Sequence, residues 1–254
     1  MITRPHVQGQ ALGRYLKQYH AIVNYLPCLA YAKTFNKSCL NQAKNQLGQV
    51  DFAIFCSQEA VKKVFTSPPP NHLKTKLQII ALGLSTAKHL KNLGFKNIQV
   101  PTELPFNSEK ILQMDCLNFV KNKVIHIYRA SLGREFLAQA LGARGAKIFS
   151  IEAYRSVNPF NKKRDNLNIY PLTSNVVIFT SSQALLNGLM LGSDFKTFLL
   201  NTTLIVVGER NWRNAIDLGF KNLIMARGAD HQSIYQALCQ WNLTSSHPLH
   251  RWDS

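Results

Sequence analysis

Six short turns hold the residues of this sequence best suited to grip a charged ligand: Arg4-Pro5, Cys56-Ser57-Gln58, Gly83-Leu84-Ser85-Thr86, Arg129-Ala130-Ser131, Thr180-Ser181-Ser182 and Gly208-Glu209-Arg210. Each follows a short apolar run and opens a helix-like pattern. A chain that leaves a strand and enters a helix at such a turn presents backbone N–H groups with no partner inside the helix, and the helix dipole adds partial positive charge. The chemistry on offer is anion binding, with Arg4, Ser57, Gln58, Ser85, Thr86, Arg129, Ser131, Ser181, Ser182 and Arg210 as candidate contacts. Helix capping accounts for any one of these hydroxyls taken singly. Several such turns together, under a strong positive charge, favour an anionic ligand. Tyr154 ends a central strand-like run and is a candidate proton donor. A lone tyrosine on a strand more often packs, so residue type alone does not select it.

Several chemistries lack their sequence marks. There is no GxxxxGK(S/T) loop, no GxGxxG after a strand, no GxSxG elbow and no HExxH. A nucleotide or nicotinamide cofactor and a Ser-His-Asp nucleophile are therefore unsupported. The five cysteines form no CxxC pair and the histidines are dispersed, with only His247 and His250 close together, in a polar tail. No metal site is expected.

The elements that must position these turns alternate along the chain. Residues 124–128 are apolar and β-branched, residues 129–133 break the run, and Phe136, Leu137, Ala140 and Leu141 recur on one helical face before a strand over 148–154. Strands are also expected over 22–31, 52–55, 77–82, 98–101, 176–179, 204–207 and 223–225. Helices are expected over 59–65, 86–93, 108–119, 183–191, 211–218 and 231–241, with a helix and loop over 35–49. Strands alternating with helices of this length make parallel sheets covered on both faces. In such sheets ligands bind beyond the carboxyl ends of the strands, where the six turns lie.

The pattern occurs twice. Arg4 and Arg129 are 125 positions apart, Ile54-Phe55-Cys56-Ser57 answers to Ile178-Phe179-Thr180-Ser181, and Gly83 to Gly208. Leu93-Gly94-Phe95-Lys96-Asn97 returns unchanged as Leu218-Gly219-Phe220-Lys221-Asn222. Matches in this order indicate a duplicated half-chain, hence two doubly wound α/β domains.

A chain of 254 residues with 46% hydrophobic residues can bury two cores. No apolar run reaches the roughly 18 to 20 residues that span a bilayer, and the first ten residues lack a secretory pattern. With scattered cysteines, this predicts reduced thiols and a cytoplasmic protein. The 30 Lys plus Arg against 13 Asp plus Glu give a net charge of +17, which draws polyanions. The basic residues are spread along the chain and not gathered on an arm or one helix face, which argues against a nucleic-acid partner.

The ordered set MITRP, IFCSQEAV, ALGLSTAKHLKNLGF, VPTELPFNSEKIL, RASLGREFLAQALGARGAKIFSIEAYRSVNP and IFTSSQAL resembles the uroporphyrinogen-III synthase family over nearly the whole chain. The resemblance implies two α/β domains joined by a two-stranded linker with the chain crossing over, one of residues 33–157 and the other of 1–32 with 158–254. It implies an enzyme of tetrapyrrole synthesis that removes water from the linear polycarboxylate hydroxymethylbilane, inverts ring D and closes the macrocycle, without cofactor or metal. It further implies a monomer, with the upstream bilane-forming enzyme as the protein partner the pathway offers. The family tyrosine that helps the hydroxyl leave maps onto Tyr154, and a threonine-bearing turn maps onto Ser85-Thr86. Two turns depart from the family pattern. The usual TS-x-N-A-V reads Cys56-Ser57-Gln58-Glu59-Ala60-Val61 here, and the second-half counterpart of Thr86 lies in Glu209-Arg210-Asn211-Trp212, without threonine. The same fold could serve a binding protein for an anionic metabolite without chemistry.

Overall fold

The computed structural model describes residues 1–103, 106–131, 135–160 and 172–244. The turn residues 132–134 and the tail bearing His247 and His250 lie outside the described residues. The chain divides into a central unit, Tyr31–Ser156, and a terminal unit, Met1–Ala30 with Val157–Ser254.

Ahead of the central unit the chain runs through Ile2 and α1 (His6–Lys17). The central unit then carries β1 (Ala30–Lys33), α2 (Lys37–Asn45), β2 (Phe52–Phe55), α3 (Gln58–Val64), α4 (Asn71–Lys76) and β3 (Gln78–Ala81). After these come α5 (Leu84–Asn92), β4 (Ile98–Gln99), α6 (Ser108–Leu112), β5 (Val124–Ala130), α7 (Phe136–Ala143) and β6 (Lys147–Val157). The strands form one sheet in the order β1-β6-β5-β2-β3-β4, and the pairs β2 with β3, β2 with β5, β3 with β4 and β5 with β6 are all parallel.

The inner strands are continuous apolar runs because both of their faces are buried. Ala53, Phe55, Ile79, Ala81 and Tyr128 pack with Leu40 and Ala43 of α2, Val61 and Val64 of α3 and Leu90 of α5. On the other face Ile54, Ile80, Ile125 and Ile127 pack with Ile111 of α6 and with Leu137 and Leu141 of α7. The winding runs outward from β2 to β4 and then resumes at β5 on the opposite side, so the switch point falls between β2 and β5.

The terminal unit continues with β7 (Val176–Phe179), α8 (Ser182–Leu189), α9 (Ser193–Leu200), β8 (Thr203–Val207), α10 (Gly208–Asp217), β9 (Leu223–Ala226) and α11 (His231–Thr244). Parallel pairing joins β7 to β8 and β8 to β9. Ile2 bridges in parallel to Ile178 on one side and to Tyr25 on the other. Read across, Tyr25, Ile2, β7, β8 and β9 repeat the order β6, β5, β2, β3 and β4, which is the duplication expressed in three dimensions. Ile178, Ile205 and Ala226 bury against Leu12 and Leu16 of α1 and Ile234 and Ala237 of α11. Val177, Phe179, Leu204 and Val206 are buried on the opposite face, as are Leu185 of α8 and Phe195 and Leu199 of α9.

Local differences from the sequence reading have local causes. The run 22–31 is not one strand: Leu26 and Cys28 donate their N–H groups to Ile2 and Thr3, but Pro27 between them has no N–H and regular strand begins only at Ala30. The helix expected over 108–119 ends at Leu112 and is followed by a 3-10 turn, Asp115–Leu117. Gly83 caps α5, so Ser85 and Thr86 sit inside its first turn and not ahead of it. Helices α4 and α9 were not expected, although Phe195, Phe198 and Leu199 show helical spacing within α9.

Candidate active site

At the switch point of the central sheet the chain leaves β2 through Cys56 and Ser57. Ser57 is the N-cap of α3: its backbone is extended and its Oγ accepts the Ala60 N–H at 3.1 Å. The same Oγ lies 3.0 Å from the hydroxyl of Tyr154. Tyr154 is only 6% exposed, and the Tyr31 ring meets it edge-on at 5.0 Å between centroids. Burial drives the Tyr154 pKa well above that of an ordinary phenol, against the opposing effect of the Ser57 hydrogen bond. The group is therefore a neutral phenol holding its proton at physiological pH.

A β-bulge puts it there. Arg129 pairs with Glu152, but the next residue, Ala130, pairs with Tyr154, so β6 carries one extra residue at this point. In an unbroken strand Ile151 and Tyr154, three apart, would face opposite sides of the sheet. With the extra residue Ile151, Ala153 and Tyr154 all enter the same core cluster, the one that also holds Ala60 of α3.

The turn after β5 supports Tyr154 from beneath. The Ser131 N–H donates to the Tyr154 carbonyl at 2.9 Å. Arg129 donates through Nε to Ser150 Oγ at 2.8 Å and through Nη1 to the carbonyls of Ala130 and Ser131 at 3.0 and 3.3 Å, and it pairs with Glu135. Its guanidinium is engaged in bracing this turn. Gln58, half-buried, opens α3, while Thr86 is buried and Ser85 exposed in the first turn of α5. Burial pushes the Cys56 thiol up to about 12, with the nearby Arg129 charge opposing. A thiol held that firmly protonated is no nucleophile.

The equivalent tips of the terminal unit are built differently. Ser181 caps α8, accepting the Ala184 N–H at 3.2 Å. Ser182 donates its N–H at 2.9 Å and its hydroxyl at 2.6 Å to Asn211 Oδ1, and accepts from Asn214 Nδ2 at 2.6 Å. Asn211 is buried, and its Nδ2 donates to the Val207 carbonyl at 2.6 Å. Arg4 donates through Nη1 to the Ala229 carbonyl at 2.9 Å, ahead of α11. Asp230 caps that helix by accepting the Ser233 N–H at 2.9 Å. Burial, and then the Arg4 charge, lower the pKa of the adjacent His231. Arg210 is exposed on α10.

The structure thus gathers Ser57, Arg129, Ser131 and Tyr154 into one cluster and joins Ser182 to α10, while Ser181 caps α8. Gln58, Ser85, Thr86 and Arg210 each stand at a strand tip, with no side-chain hydrogen bond to those clusters among the described residues. Sequence reasoning missed Asn211 and Asn214, which take up the hydroxyl and amide of Ser182. Asn211 lies within Glu209-Arg210-Asn211-Trp212, the segment that answers to the Thr86 turn. Among the described residues no three His, Cys, Asp or Glu side chains gather as a metal ion would require, and no helix is long and apolar enough to cross a membrane.

The comparisons with known proteins agree with one another. The family model described as Uroporphyrinogen-III synthase HemD matches residues 10–236. The uroporphyrinogen-III synthase of Escherichia coli strain K12 is 26% identical over 245 residues, covering 94% of this chain and 98% of that protein. That of Proteus mirabilis is 29% identical over 159 residues, covering 61% of this chain and 78% of that protein. In fold, the chain is similar to a uroporphyrinogen III synthase from Helicobacter pylori, with a TM-score of 0.61 and 16% identity over 87% of this chain and 94% of that one. It is similar also to a mutant synthase from Thermus thermophilus, with a TM-score of 0.60 and 14% identity over 94% of this chain and 98% of that one.

Proposed function

The chain belongs to the uroporphyrinogen-III synthase family, and on that footing we propose the parts its own residues play in closing the tetrapyrrole ring. The protein is the synthase of tetrapyrrole biosynthesis. It takes linear hydroxymethylbilane, releases water and closes the macrocycle as uroporphyrinogen III with ring D inverted. The observation that carries the assignment of roles is the pairing of buried Tyr154 with half-buried Ser57, 3.0 Å apart at the switch point of the sheet.

Loss of the terminal hydroxyl breaks a carbon–oxygen bond and leaves the electron pair on oxygen. A neutral phenol can deliver a proton to that oxygen so that water departs and not hydroxide. Burial keeps Tyr154 in the protonated form that this step needs. Ser57 already accepts one N–H, and its own hydrogen can go to the Tyr154 oxygen, which frees the phenol proton for the leaving group. Arg129 and Ser131 hold the tyrosine in place through its carbonyl and its turn. The cation that remains must meet the substituted carbon of ring D, and much of the acceleration comes from holding those two atoms together. Backbone amides at the strand tips, with Gln58, Ser85, Thr86, Ser181, Arg4 and Arg210, hold the substrate carboxylates in this reading. Ser182 contributes less, since its amide and hydroxyl are bonded to Asn211.

The protein acts in the cytoplasm as a monomer supplied by the enzyme that forms the bilane. Five unpaired cysteines support a reducing compartment.

Incubation with freshly generated hydroxymethylbilane, followed by separation of isomers, tests the function. Isomer III is expected; formation of isomer I alone, the uncatalysed product, would refute it. Tyr154→Phe is expected to lower turnover by roughly a hundredfold without abolishing it, and an unchanged rate would remove the role given to the phenol.

A further inference from the structure

A cavity of ≈ 340 Å³ opens in the central unit between α2 and strands β5 and β6. One wall is the face of α2 that carries Cys39, Gln42 and Gln46, three and four residues apart and so aligned on one side of the helix. The other wall is His126 of β5 with Phe149 and Ile151 of β6. A single bound water occupies about 30 Å³, so this space is large enough for a small organic molecule.

The protonation of His126 follows from its neighbours. Tyr128 Oη donates its one hydrogen to the Ala43 carbonyl at 3.2 Å, since a carbonyl can only accept. His126 Nδ1, 3.1 Å from the same phenol oxygen, must then carry a hydrogen and donate it. Burial lowers the His126 pKa and keeps the ring neutral. That leaves Nε2 as a bare acceptor, without a hydrogen-bond partner among the described residues, on a ring that lines the cavity. Because His126 lines the cavity and Nδ1 is tied to Tyr128, Nε2 is the polar edge the ring can offer to an occupant. Phe149 stands edge-on to the imidazole at 5.4 Å between centroids and is 53% exposed, an apolar surface against which a flat ring can lie.

We propose that this cavity binds a small planar heteroaromatic molecule through an N–H donated to His126 Nε2, with its ring against Phe149. A neutral imidazole with Nδ1 already protonated cannot donate from Nε2, so the ligand must bring the hydrogen. Cys39 and His126 are too few ligands to make this a metal site.

The test is a titration of the full chain with indole and, separately, with N-methylindole, which has the same ring and no N–H. Binding is followed by the ring nitrogen resonances of His126 and the ring signals of Phe149. Saturable shifts at both residues with indole are expected, with N-methylindole bound about tenfold more weakly for want of one hydrogen bond. In His126→Phe the preference for indole should vanish. Absence of a saturable shift up to the solubility limit of indole would mean that the cavity holds only water and would overturn the proposal. So would equal affinity for the two ligands, a result that needs no variant to interpret.

Discussion

Tyr154 carries two opposed influences, and their order decides how it responds to substitution and to pH. Burial acts first to raise its pKa, and the hydrogen bond from Ser57 acts against that. Ser57→Ala therefore leaves the phenol protonated, and its turnover should fall less than that of Tyr154→Phe. The same substitution removes the cap of α3, at a cost of about 1 kcal/mol that urea denaturation would read as a lower midpoint at unchanged slope. The folded pKa lies above the unfolded value of 10.0 for Tyr154, and likewise for Tyr128 because of burial. The fold thus binds these protons more tightly than the unfolded chain does. Their contribution to stability is complete below the unfolded pKa and is lost as pH rises through the folded value. In an alkaline titration the phenolate absorbance of these two tyrosines should appear only together with loss of the circular-dichroism signal. Full ionisation of all eight tyrosines while the fold persists would contradict it.

At the scale of elements, the two halves of the duplication end their equivalent strands in different ways. The turn after β2 ties Ser57 to a tyrosine of the same sheet, whereas the start of α8 is tied to α10 through Ser182, Asn211 and Asn214. Asn211 accepts both the amide and the hydroxyl of Ser182 while donating to Val207. Asn211→Ala would strip Ser182 of its acceptor in a half-buried setting, at an expected cost of about 1–3 kcal/mol in urea denaturation. A change within ±0.5 kcal/mol, the range of ordinary surface substitutions, would show that the network is dispensable. Element boundaries were legible wherever a local signal carried them. Ser57 and Ser181 cap helices because each extended backbone places a hydroxyl beside an N–H three residues on. The failures were equally local in cause: Pro27 interrupts an apolar run that otherwise reads as strand, and α6 stops a turn after it begins.

For the molecule as a whole, the net charge of +17 should speed the arrival of a polycarboxylate substrate. The quantity kcat/KM should fall as ionic strength rises, with kcat changing less, because screening acts on encounter and not on the bound complex. A salt-independent kcat/KM would show that the charge serves some other purpose. The α/β class and the duplication were determined by the sequence alone, and it is from the sequence that the strand tips are proposed as binding positions. They rest on patterns that repeat within a few residues, namely apolar periodicity, capping residues and turns, or on the copying of one half-chain into the other. Which side chains meet at those tips was decided only by the tertiary structure. Ser57 and Tyr154 are separated by 97 positions, and their contact depends on one extra residue in β6 that reverses the face on which Tyr154 lies. No local pattern records that reversal, because a bulge is defined by the partner strand. The same holds for Arg129, a candidate anion contact by its place in the sequence, whose guanidinium the structure shows bracing its own turn.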